Sequence, residues 1–162
     1  MLRDKSLIPL SHQHQHALAL CVRIERASPI PDADLAAWHA EIAQLFQTEI
    51  GIHFAAEEQV LFPAACEFVE LKGLVEELRS DHEWLRQQSG KIGALSADHV
   101  RALGQRLSEH IRKEERQLFE RMQELLSRKQ LESLGQMLND ALKDGSQACL
   151  LPTDATRLRS RG

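Results

Sequence analysis

Apolar residues recur at three- and four-residue steps through most of this chain, and short breaks separate the stripes they form. Leu10, His14, Ala17, Leu18 and Cys21 predict a first helix that starts near Pro9 and Ser11, after a lead-in of residues 1–8, and runs to about Ala27. Ser28-Pro29-Ile30-Pro31-Asp32 interrupts the pattern. Asp34 is placed to cap a long second helix over 35–68, whose inner face reads Trp38, Ile42, Phe46, Ile50, His53, Glu57 and Val60. Pro63 is expected to kink it. A third helix over 71–91 aligns Leu71, Val75, Leu78, His82 and Leu85 before Gly90 and Gly93. Ser96 opens a fourth as N-cap, with Val100, Leu103, Leu107, His110, Glu114 and Leu118 on its stripe. A shorter fifth over 128–143 carries Leu131, Leu134, Leu138 and Leu142 and closes at Gly145. The tail from 146 has no periodic face and is expected to be disordered. No segment reads as a strand. The prediction is an all-α fold: an up-and-down four-helix bundle with an additional short C-terminal helix, one domain over 1–145.

The inner stripes are not purely apolar, and their exceptions repeat. His53-Phe54-Ala55-Ala56-Glu57-Glu58-Gln59-Val60-Leu61-Phe62 and His110-Ile111-Arg112-Lys113-Glu114-Glu115-Arg116-Gln117-Leu118-Phe119 both read H-x-x-x-E-E-x-x-L-F. Residues four apart on a helix share a face, so each His and the first Glu stand one turn apart. One such spacing arises readily by chance; two in the same ten-residue frame are harder to dismiss. Four stripes together direct His14, His53, Glu57, His82, His110 and Glu114 inward. Unpaired, each would cost kcal/mol of desolvation, whereas bound metal ions satisfy all six. Taken singly, His14 and His82 read as core or partly exposed histidines more readily than as ligands. His12 and His16 point elsewhere, His39 and His99 read as surface residues, and Glu58 and Glu115 read as solvated or as outer partners of the site.

A length of 162 residues fits one domain with a substantial core. The net charge of −4, with both signs interspersed, provides no basic field for nucleic acid. No apolar run is long enough to span a membrane and the N-terminus has no signal-peptide stretch, so a cytoplasmic location with no membrane partner is expected. Cys21, Cys66 and Cys149 are too few and scattered for a disulfide framework or a thiolate metal site, and the first two read as core thiols. Nitrogen and oxygen donors without thiolate suit iron or manganese, with zinc an alternative. If both glutamates bridge, each of two ions has two histidines and two carboxylate oxygens, four of six octahedral positions, and the rest are open to a bridging oxide or hydroxide and an outside ligand.

These residues resemble the hemerythrin-like, or HHE cation-binding, family. The resemblance covers about 7–126 and rests on Leu10-Ser11-His12-Gln13-His14, on His53 to Pro63, on Asp81-His82 and on His110 to Glu115. It implies a four-helix bundle around a non-haem di-iron site ligated by His14, His53, Glu57, His82, His110 and Glu114. It also implies oxygen binding, oxygen or iron sensing, or handling of NO and peroxide. Oxygen-carrying members have a further ligand His one turn after the position of His82, where this sequence has Arg86. The site is therefore nearer to the family's iron sensors and to its repair proteins for iron centres. The repair proteins usually begin with a Cys-bearing segment that is not found here. Three readings stay open: a binding or sensing module, placed first; a di-iron enzyme of iron oxidation, peroxide or NO detoxification, or iron-centre repair; and a metal-free helical interaction protein. The fifth helix is expected either to cover the bundle or to form a homodimer contact.

Overall fold

The computed structural model describes residues 1–91 and 93–143. The expectations for Gly145, for Cys149 and for the tail from 146 lie outside them. Among the described residues the protein is all-helical, in five stretches: α1 (Ile8–Ala27), α2 (32–66), α3 (Lys72–Gly90) after a 3-10 turn at Val69–Leu71, α4 (97–125) and α5 (Arg128–Leu142).

Local chemistry accounts for the ends. Pro9 occupies the first turn of α1, where a missing N–H costs nothing. Asp34 is not the cap of α2: the helix begins at Asp32 after extended Pro31, and both aspartates sit in the first turn, where the helix dipole favours negative charge. Ser96 caps α4 by accepting from the His99 N–H at 3.4 Å. Ser127 caps α5 in a reciprocal box with Gln130, a Ser-x-x-Gln signal that periodicity alone passed over.

Pro63 does not end α2, which continues to Cys66. The turn before it, Glu57–Leu61, is a π turn in which the Phe62 N–H reaches the Glu57 carbonyl, and this wider turn accommodates the proline ring. The second motif copy makes the same turn over Glu114–Leu118, with Phe119 N–H on the Glu114 carbonyl and no proline following, so the turn belongs to the motif. A third π turn spans Phe46–Ile50 and closes on Gly51. A Cβ at Gly51 would lie 2.8 Å from the Phe46 carbonyl oxygen. Gly51→Ala is therefore expected to destabilise by on the order of 1–3 kcal/mol despite alanine's helix propensity. A urea titration with unchanged midpoint would show that the turn relaxes around the methyl.

The core divides in two. One cluster contains Ala17, Leu20, Ile24, Trp38, Ile42, Phe46, Phe54, Leu85, Leu103 and Leu107; the other contains Leu7, Leu10, Leu61, Phe62, Leu78, Leu118, Phe119, Leu134 and Leu138. Along α1 the order is Leu10, His14, Ala17, from the second cluster to the first. Along α2 it is Phe46, Glu57, Leu61, the reverse; α3 (Leu78, His82, Leu85) repeats the direction of α1, and α4 (Leu107, His110, Leu118) that of α2. A belt of buried polar residues thus interrupts an apolar interior, at a desolvation cost that its members must offset among themselves. Leu18 is half-buried, and Leu20 and Ile24 carry the inner stripe of α1 in its place. Cys21 is buried and Cys66 half-buried.

Candidate metal centre

His14, His53, Glu57, His82, His110 and Glu114 all lie in this belt, each no more than 4% exposed. Their donor atoms form two groups, His14, His53, Glu57 and Glu114, and Glu57, His82, His110 and Glu114, each with its atoms within 4.8 Å of one another. Both glutamates belong to both groups. In the first group the two imidazole Nε2 atoms are 2.9 Å apart, and in the second 3.1 Å. Glu57 directs Oε1 to His53 Nε2 at 3.0 Å and Oε2 to His82 Nε2 at 3.3 Å. Glu114 directs Oε2 to His14 Nε2 at 3.1 Å and Oε1 to His110 Nε2 at 3.2 Å. Adjacent donors on an octahedral ion with bonds of about 2.1 Å stand about 3.0 Å apart, so these spacings are those of neighbouring ligands.

Electrostatics makes the same point. The four oxygens of Glu57 and Glu114 are buried and accept no well-formed hydrogen bond. Two buried carboxylates without well-formed donors are balanced either by cations or by protonated imidazoles, and a donor set of four imidazole nitrogens and four carboxylate oxygens fits a hard or borderline divalent ion. Without an ion, protons must serve. Burial alone would lower the His14 pKa, but Glu114, Glu115 and Glu57 raise it to about 9. His110, against the same burial effect, is raised to about 10 by Glu114, Asp81 and Glu57. Burial raises the Glu57 and Glu114 carboxyls, Glu57 being raised further by Glu114, yet the imidazoles beside them hold both below the ordinary range.

The outer nitrogens of the imidazoles are held by an arrangement that repeats with the motif. The residue before each lone histidine reaches the motif histidine of the following helix: Gln13 Oε1 lies 2.7 Å from His53 Nδ1, and Asp81 Oδ2 a longer 3.4 Å from His110 Nδ1. The second glutamate of each motif reaches a lone histidine: Glu58 Oε1 lies 2.8 Å from His82 Nδ1, and Glu115 Oε1 2.7 Å from His14 Nδ1. The last phenylalanine of each motif stacks on the same imidazole, Phe62 on His82 at 5.3 Å and Phe119 on His14 at 5.5 Å between centroids. Glu58 and Glu115 are thus half-buried orienting groups, a role that helical phase alone leaves undecided. Hydrogen bonds from His82 and Arg86 lower the Glu58 carboxyl to about 2 against its burial. Burial likewise raises Asp81, but His110, Lys113 and Arg106 outweigh it and hold that carboxylate ionised.

Arg86 does not enter the belt; it is 41% exposed and binds both oxygens of Glu58, at 2.6 and 3.2 Å. His12 and His16 are exposed and lie outside both groups, with His16 against Glu49 at 2.9 Å. His99 is exposed, whereas His39 is half-buried with Nε2 3.0 Å from the Leu95 carbonyl, tying α2 to the turn before α4.

The two halves also differ in the space beside them. A cavity of about 10 Å³ adjoins His14, His53 and His110, walled by Ala17, Ile50, Phe54, Leu107 and Ile111. That volume is near the threshold for one water molecule. Aligning His14 with His82 and His53 with His110 sets Ala17 opposite Leu85 and Ile111 opposite Phe54. On the second half Phe54 fills the space, stacking on His82 at 3.7 Å between centroids.

A family model described as hemerythrin HHE cation binding domain matches residues 9–122. Searches of curated proteins and of solved structures returned no match.

Proposed function

Because this chain belongs to the hemerythrin HHE cation-binding domain family, we propose that it is a non-haem di-iron protein that binds or senses a small ligand such as O2, NO or peroxide. The observation that carries the reading is the pair of four-residue groups sharing Glu57 and Glu114. In it, His14 and His53 would hold one ion and His82 and His110 the other, with Glu57 and Glu114 available to both. The alternating order of the two core clusters along α1 to α4 supports an up-and-down bundle as the frame.

When bound, a pair of iron ions supplies one-electron chemistry and coordination positions the protein leaves free. The chain's own contribution is orientation and exclusion. Glu58, Glu115, Gln13 and Asp81 fix the imidazoles, while the two apolar clusters keep bulk water from the belt. Ala17 and Ile111 leave beside His14 and His53 a cavity about the size of one water molecule, which favours a very small ligand at this half. Among the described residues no helix is long and apolar enough to cross a membrane.

Elemental analysis of the purified protein, with its absorption spectrum, tests this reading. About two ions per chain, a visible-region spectrum that d¹⁰ zinc cannot give, and a lower melting temperature after chelation are expected. Fewer than about one ion per chain, with stability indifferent to chelator, would instead leave a metal-free helical protein.

A further inference from the structure

Residues 1–7 are more than an approach to α1. Leu7 is fully buried in the cluster that holds Leu134 and Leu138 of α5, and Ser6 is buried against Gly135. Asp4 N–H donates to Gln123 Oε1 at 2.9 Å, and Gln123 Nε2 donates to the Leu2 carbonyl at 3.0 Å. These contacts seat Arg3 against α4. Arg3 Nη2 donates to Glu115 Oε2 at 2.6 Å and to the Glu115 carbonyl at 2.7 Å, and Nη1 donates to Gln123 Oε1 at 3.1 Å. The guanidinium also lies 5.1 Å from the centre of the Phe119 ring, the ring stacked on His14.

Arg3 therefore stands to Glu115 and His14 as Arg86 stands to Glu58 and His82. Each half of the belt has an arginine on the glutamate that orients its lone histidine. The difference is where the arginine comes from. Arg86 lies within α3, on the same helix as the histidine it serves. Arg3 lies on a segment outside the helices, held by α4 and by α5.

We propose that residues 1–7 are a strap and Arg3 a positioning residue for the His14–His53 half alone, so that this half holds its ion more tightly while the strap is seated on α4 and α5. The inference rests on the two-ion reading given above. It assigns α5 a task, that of anchoring the strap through Leu7 and Gly135. It also makes the half that borders the cavity the conditional one, while Arg86 holds the other half independently.

Variants that leave one half intact test it. His110→Ala keeps His14 and His53, and His53→Ala keeps His82 and His110. Each is titrated with Co²⁺ as an optical probe against a competing chelator, alone and with Arg3→Ala or Arg86→Ala added; circular dichroism monitors folding. Removing an orienting contact of this kind is expected to weaken affinity on the order of tenfold. Arg3→Ala should do so in the His110→Ala background and leave the His53→Ala background unchanged, and Arg86→Ala should give the opposite pattern. Gly135→Leu, whose side chain collides with Ser6, should reproduce the Arg3→Ala pattern. An Arg3→Ala effect equal in both backgrounds, or absent from both, overturns the strap. The two-ion reading is judged separately, by whether the unmodified protein takes up about two Co²⁺ per chain; if it does not, the strap falls with it.

Discussion

Glu57→Ala is expected to empty both halves of the centre at once, whereas His53→Ala leaves the half built on His82 and His110 able to hold an ion. The difference follows from the two carboxylate oxygens. Oε1 of Glu57 lies 3.0 Å from His53 Nε2, while Oε2 lies 3.3 Å from His82 Nε2, so one truncation takes a donor from each group. His53 belongs to one group only. At a free-metal concentration where His53→Ala keeps about one ion, Glu57→Ala should retain close to none, and Glu114→Ala should behave alike because its oxygens divide the same way. His39→Ala serves as the control, since His39 bonds the Leu95 carbonyl and lies outside both groups. Elemental analysis after dialysis against a weak chelator reads the result. A Glu57→Ala protein that still carries one tightly held ion would show that the carboxylate serves a single position.

The residues of this belt are legible in the sequence because burial of charge is costly. A histidine or glutamate on an apolar stripe is an anomaly that periodicity exposes, and two copies of one ten-residue frame multiply its weight. The helices are legible for the same reason, from stripes that need only the 3.6-residue period. What periodicity could not supply were features set by contacts between helices or by a single altered turn. Glu58 and Glu115 are rotated about 100° from their inward neighbours, a phase that on an isolated helix fits a solvated residue and an outer partner of the site alike. Only the helix packed alongside puts His82 and His14 within reach of them. The π turns at Glu57–Leu61 and Glu114–Leu118 add one residue to a turn, too small a shift for a pattern spaced every three or four. The role of Arg3 leaves no periodic trace, because residues 1–7 precede α1 and are fixed by side-chain contacts to α4 and packing on α5.

Stability of the metal-free protein is expected to fall as pH rises from about 6.5 to 10, opposite to the trend of metal affinity. His14 and His110 are held at about 9 and about 10 in the folded protein, against about 6.5 in an unfolded chain. A folded pKa above the unfolded one means that the folded state binds more protons between the two values. The stabilisation these imidazoles give is therefore fully present below about pH 6.5 and is lost as pH passes through 9 and 10, a swing on the order of several kcal/mol. Toward acid the sign reverses. Glu57, Glu58 and Glu114 are all lowered in the folded protein, so their contribution is present above about 4.5 and is lost as pH drops through their folded values. Between these limits, near pH 5 to 6.5, the metal-free form should be at its most stable. Metal competes for the nitrogens those protons occupy, and loading the belt displaces the protons of His14 and His110. Apparent affinity should consequently rise by roughly tenfold per pH unit for each ion below about pH 9, or roughly 100-fold for loading both, the slope expected when one proton leaves each half. Urea denaturation of chelator-treated protein across pH 5–10, paired with metal titrations at the same values, reads both trends. Metal-free stability that is flat or climbing from 6.5 to 10 would mean that protons do not stand in for cations between Glu57 and Glu114, and the charge balance described for the belt would be wrong.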